Sequence, residues 1–169
     1  MPGKLQAEIE QAKPFVGAEV EAFLNVVRTA DRLMRSVDLL MKRHGLTSAQ
    51  YNVLRILRGA GTDGANGREI AERMINTEPD ITRLLDRMEK RGVIRRRRHE
   101  KDRRFVTAWI AESGLAILAA LDEPIAQLHR RQFARLSEAE IASIVAGLEK
   151  VRENCGQAGL TPASPTPDP

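Results

Sequence analysis

Sulfur and aromatic groups are scarce in this chain of 169 residues, which has one cysteine, one tryptophan, one tyrosine and four phenylalanines. A lone Cys155 excludes an internal disulfide framework and leaves too little thiolate for a cysteine-based metal site. It reads as a small, semi-buried apolar residue near a helix end. His44, His99 and His129 stand far apart and match no close ligand spacing, so no metal is expected. No apolar run approaches the roughly 20 residues that cross a bilayer, and residues 1–20 lack a basic segment followed by an apolar one. A cytoplasmic protein with no membrane partner is the expectation. Also missing are a nucleophile elbow and a phosphate-binding loop. The four glycines at 59, 61, 64 and 67 follow a helix and lack the Gly-Lys-Ser/Thr ending, so this stretch reads as a flexible connector. Neither an enzyme nor a cofactor is expected.

What the chain has instead is a helix-forming vocabulary of Leu, Ile, Ala, Arg and Glu, with 42% hydrophobic and 30% charged residues. Its length suits one small lobe with a core plus an association region. Charge is distributed unevenly. Residues 91–104 hold seven arginines and Lys101 against Glu100 and Asp102, a local charge of +6, which leaves −2 for the rest of a chain whose total is +4. Basicity gathered into one short segment is the footprint of an element that meets a polyanion.

Apolar residues at Val20, Phe23, Leu24, Val27, Ala30, Met34, Val37 and Met41 recur at steps of three and four. They predict a helix over residues 19–44, about 39 Å long. That stripe exceeds what a small core can use, so part of it should pack on something outside that core. Gly45 suits the helix stop. Thr47-Ser48-Ala49-Gln50 reads as a capping box for a helix with Tyr51, Val53, Leu54 and Leu57 on its apolar side. Residues 68–74 form a short helix. Thr77 then reads as the cap of another, with Pro79 in its first turn, Asp80 three residues on, and Gly92 as the stop.

The period next shortens. Val93 to Arg98 and Phe105 to Ile110 read as two strands of a hairpin whose tip carries arginine, too small to stand without the helices. Residues 112–135 predict a long helix with a kink or break at Pro124. Ser137 and Glu140 form a capping box for a final helix that fades near Cys155 and Gly156. The proline-rich residues 157–169 are expected to be disordered. The fold class is therefore mainly α with a small β-hairpin wing, a winged helix-turn-helix.

With Ile81, Leu84, Leu85 and Met88 turned inward, the second helix of the pair shows Thr82, Arg83, Asp86, Arg87 and Lys90 to solvent. An α-helix fits the DNA major groove, where Arg can hold guanine in two hydrogen bonds. Arg83 and Arg87 are thus candidates for base or phosphate contact, with Thr77, Pro79 and Thr82 close by. A solvated face with an Asp86–Lys90 ion pair is the plainer reading of that helix alone. Strand alternation cannot bury all of Arg95 to Arg98, because unpaired buried charge is too costly. Arg95, Arg97 and Arg98 are therefore candidates for the polyanion surface, and Arg103 or Arg104 at the turn can enter a minor groove.

Three segments, Leu46-Thr47-Ser48-Ala49-Gln50-Tyr51-Asn52-Val53-Leu54, residues 81–94 from Ile81-Thr82-Arg83 to Gly92-Val93-Ile94, and Asp102-Arg103-Arg104, resemble consecutive signatures of the MarR (multiple antibiotic resistance regulator) family in order and spacing. The resemblance implies an obligate homodimer. On that reading residues 19–45 are a first dimerisation helix behind an arm at 1–18, residues 46–110 the winged lobe, and residues 111–156 the C-terminal dimerisation helices. It also implies that Arg104 reaches the minor groove while Asp102 holds the wing. The function implied is a transcriptional repressor of a palindromic operator in a bacterial or archaeal cytoplasm, released by a small aromatic or phenolic ligand. Where the family has Leu-Thr-x-x-Gly after the wing, this chain has Ile110-Ala111-Glu112-Ser113-Gly114, so Ala111 lacks the capping hydroxyl. Phe23, Val27, Met34, Tyr51 and Leu118 are apolar candidates for a ligand pocket, but the same spacing marks plain core. A winged-helix module serving protein association, or an RNA-binding basic hairpin, is the alternative.

Overall fold

The computed structural model describes residues 4–98 and 106–157. The expected wing tip and C-terminal tail, with Asp102, Arg103, Arg104 and His99, lie outside the described residues. In order, the elements are α1 (Lys4–Glu8), α2 (Ala18–Arg43), α3 (Ser48–Ala60), β1 (Ala65–Asn66), α4 (Gly67–Arg73), α5 (Ile81–Lys90), β2 (Ile94–Arg98), β3 (Val106–Ile110), α6 (Glu112–Gln132) and α7 (Glu138–Gln157). The strands form one antiparallel sheet in the order β1-β3-β2. The chain divides after Leu128 into two compact units.

In the first unit the core gathers around α3. Val53, Leu54 and Leu57 are fully buried and meet Ile70 of α4, Leu84 and Met88 of α5, and Leu118 and Leu121 of α6. Helix α3 starts where the sequence predicts, because the Thr47 hydroxyl accepts from the Gln50 amide at 3.2 Å while the Gln50 side chain accepts from the Thr47 amide at 3.0 Å. Gly45 and Gly92 take positive φ after α2 and α5, as a helix stop requires. Between those two turns the Arg91 guanidinium donates to the Gly45 carbonyl.

Helix α2 contributes only Met41 as a fully enclosed side chain. Further back along its stripe Val20, Phe23, Val26 and Val27 stand open, Phe23 at 65% exposure. The excess apolar surface expected of this long helix is thus real. In front of it lies α1, whose Leu5 is buried and whose Glu8 pairs with Arg32 at 2.9 Å. In the second unit α7 opens with the predicted box, the Ser137 amide donating to Glu140 at 2.8 Å, and leaves Ile144, Val145 and Val151 exposed.

Three expectations about the elements are corrected. The glycine-rich connector is partly structured, since α3 continues through Gly59 and Ala60 and Ala65–Asn66 pairs with Ala108 and Thr107 as a third strand. Asn66 then caps α4, its side chain accepting from the Arg68 and Glu69 amides at 3.0 Å each. Of the kink or break expected at Pro124 in α6, no break occurs, because Leu118, Leu121 and Ile125 bury on both sides of it and hold the helix where proline removes one amide donor. Cys155 is exposed, not semi-buried, and it lies on a helix in which none of the residues 138–155 is buried. The start of α6 at Glu112 is as the sequence predicts, even though Ala111 lacks a capping hydroxyl, and its approach is pinned by the Ala111 amide donating to the Val93 carbonyl at 3.0 Å and the Ser113 hydroxyl donating to that of Gly92 at 2.7 Å.

Candidate nucleic-acid interface

Helices α4 and α5 are joined by a seven-residue connection fixed from outside, the Ile75 amide donating to Asn52 Oδ1 of α3 at 2.8 Å. Sequence reasoning assigned the next cap to Thr77. The structure gives it to Asp80, whose carboxylate accepts from the Arg83 amide at 3.0 Å, so α5 starts at Ile81 and Thr77 and Pro79 lie exposed ahead of it. A carboxylate at the positive end of the helix dipole makes a favourable cap.

From there the amphipathic pattern places the side chains as read. Leu84, Leu85 and Met88 are buried, while Thr82, Arg83, Arg87 and Lys90 face outward. Arg83 is 83% exposed at the side chain and lies 3.4 Å from its own cap, Asp80, a distance and exposure at which an ion pair holds little.

Strand β2 follows directly. Its register against β3 sets Ile94 opposite Ile110, Arg95 opposite Trp109, Arg96 opposite Ala108, Arg97 opposite Thr107 and Arg98 opposite Val106. Since side chains alternate between faces, Arg96 and Arg98 share the face of buried Ile94, and Arg95 and Arg97 share the other with Trp109. The four arginines therefore divide into two pairs. Arg95, Arg97 and Arg98 are exposed, whereas the Arg96 side chain is only 18% exposed and turns onto α5. Its Nε donates to Glu89 at 2.9 Å, its Nη2 donates to Glu89 at 2.7 Å and also to Asp86, and its backbone amide donates to Glu89 at 3.1 Å. Burial alone opposes the charged guanidinium, but these carboxylates more than offset it and hold its pKa above the ordinary arginine value. Asp86 thus pairs across to the strand, not along the helix to Lys90. The signal for this was strand parity, because Arg96 stands two residues from apolar Ile94.

The arrangement is a short helix with a cationic outer side, packed through α4 and α3, beside a three-stranded sheet with an arginine edge. The MarR family model matches residues 46–106, which span this lobe from the turn before α3 to the first residue of β3. A crystal structure of a MarR transcription factor from Planctomyces limnophilus is 36% identical over 80% of this chain and 98% of that one, with a TM-score of 0.64. The chain belongs to the MarR family. Other relatives of this MarR protein include the transcriptional repressor IacR of Pseudomonas putida, 27% identical over 78% of either chain. Its fold also matches BpsR of Bordetella bronchiseptica, whose DNA binding is regulated by 6-hydroxynicotinic acid, at a TM-score of 0.70 and 21% identity over 78% of this chain and 98% of that one.

The remaining sequence candidates meet different fates. Tyr51 and Leu118 belong to the core, Phe23 and Val27 are exposed, and Met34 is half-buried, so these five do not share one environment. Burial raises the Tyr51 hydroxyl pKa, against the opposing influence of Arg55, whose guanidinium lies 5.9 Å from the ring centroid. Among the described residues no group of three or more His, Cys, Asp or Glu is arranged to hold a metal ion, and no helix is long and apolar enough to cross a membrane.

Proposed function

We propose that this MarR-family regulator binds duplex DNA as a homodimer, laying α5 in the major groove of each half-site of a palindromic operator. The observation that carries this reading is the outer side of α5, where Arg83, Arg87 and Lys90 are exposed at the end of a packed helix pair. Arg83 and Arg87 take base edges or phosphates, with Thr77, Pro79 and Thr82 at the leading end of the helix. Arg98 lies on the sheet face turned toward α5, and Arg95 and Arg97 on the opposite face, so the wing offers cations to the backbone on both sides. By the family resemblance Asp102, Arg103 and Arg104 also belong to the DNA-binding set, with Arg104 assigned to the minor groove.

Dimerisation falls to residues 19–45 and 111–156, supported by the open apolar side chains on α2 and α7. Repression, and release by a small aromatic or phenolic ligand, are supported by the repressor and the 6-hydroxynicotinic acid-regulated protein among its relatives.

The deciding experiment is footprinting on the intergenic DNA upstream of the chain's own gene, with selection from random duplexes beside it. A protected palindrome with half-sites about one helical turn apart is expected, with affinity falling steeply as salt rises. Arg87→Ala should weaken binding by about 1 to 3 kcal/mol. Equal affinity for all duplexes, unchanged in Arg87→Ala, defeats the reading.

A further inference from the structure

Two carboxylates stand on the helix assigned to the groove. Asp86 and Glu89 are each half-buried on α5, between the outward Arg83, Arg87 and Lys90 and the sheet. Unpartnered, each would repel the phosphates that those cations attract. Both are instead held by one arginine from the adjacent strand.

We propose that Arg96 serves DNA recognition by masking the Asp86 and Glu89 carboxylates, which would otherwise stand bare on the helix assigned to the groove. This rests on the DNA-binding reading above. Arg96 is set apart from its neighbours by exposure, its side chain being 18% exposed while Arg95, Arg97 and Arg98 lie open. Its donors are committed inward, Nε and Nη2 to Glu89 and Nη2 to Asp86, so the group spends its charge within the lobe. The backbone amide of the same residue also donates to Glu89, at 3.1 Å. The Glu89 carboxylate thus accepts from both the backbone and the side chain of Arg96, and its negative charge is covered from two directions.

The proposal separates from a purely structural role by rescue and by salt. The probe is a short duplex selected from a random pool by the wild-type full chain, titrated by fluorescence anisotropy. Arg96→Met should bind it about tenfold more weakly at about 0.1 M salt, with the deficit shrinking as salt screens the exposed carboxylates. Adding Asp86→Asn and Glu89→Gln to Arg96→Met should restore most of the affinity, since no charge then needs masking. With Arg96 intact, the Asp86→Asn/Glu89→Gln pair should bind at least as tightly as wild type. If Arg96→Met fails to melt cooperatively, that pair decides, and a loss of affinity in it overturns the proposal. Unchanged binding by a folded Arg96→Met, or a triple variant as weak as the single one, also overturns it while leaving the DNA-binding reading intact. A wild-type protein that selects no duplex defeats both.

Discussion

A methyl group at position 114 has nowhere to go. A Cβ built on Gly114 falls 2.4 Å from the Val93 carbonyl oxygen and 2.9 Å from Ile110 Cγ1. The glycine lets α6 start against the turn that connects α5 to β2. Gly114→Ala should therefore destabilise the lobe by about 1 to 3 kcal/mol, read as a lower urea midpoint. The sequence displayed this glycine only through the family resemblance, since the obstructing carbonyl is 21 residues away. Charge at single residues is partly legible in the same way. Asp122 sits nearly three turns before the end of α6, and its bidentate pairing with Arg58 of α3, at 2.9 and 3.0 Å, could not be anticipated from periodicity. Hydrogen bonds from Arg58 hold the Asp122 carboxyl below its usual range. A lowered native pKa means that the pair's stabilisation is complete above the unfolded value of about 4 and disappears as pH falls through the lowered one. Asp122→Asn should thus be slightly less stable than wild type at neutral pH, by less than about 1 kcal/mol for so exposed a pair. The urea midpoints of the two proteins should converge as the solution is made strongly acidic.

Among elements, α5 illustrates what local patterning conveys and where it stops. Its apolar spacing, its cationic side and its glycine stop all follow from periods of three and four. Its first residue did not, because Thr77 and Asp80 both have cap chemistry and only the fold decides between them. Asp80→Ala should cost about 1 kcal/mol in thermal or urea unfolding while Thr77→Ala leaves stability within about 0.5 kcal/mol. The reverse order would restore the earlier cap. Strand β1 escaped notice for a different reason. Two residues are too few to show alternation, and Ala65–Asn66 gains its identity only from pairing with β3. At Pro124 the expected break does not occur, because burial on both sides outweighs the loss of one amide donor.

For the molecule as a whole, the length of α2 relative to the core it serves was the most informative quantity, and it was readable from the stripe alone. Val20, Phe23 and Val27 occupy one open face at steps of three and four. If that face is where two copies meet, Phe23→Asp removes about 2 kcal/mol of apolar burial from each copy and should shift sedimentation equilibrium toward monomer by roughly a hundredfold or more. Helical content should stay nearly unchanged, since Phe23 is exposed and lies outside the buried core. A variant that remained associated to the same degree would place the contact elsewhere.

The order of the sheet bears on how this protein behaves when crowded with copies of itself. With β3 in the middle, the two outer strands are β1, only two residues long, and β2, along which Arg95, Arg97 and Arg98 are exposed. An open strand border invites another chain to add on, the first step toward fibrils, and brevity on one border and dense like charge on the other both discourage it. The arginines of β2 thus guard against self-templated aggregation whether or not any polymer of phosphate is nearby.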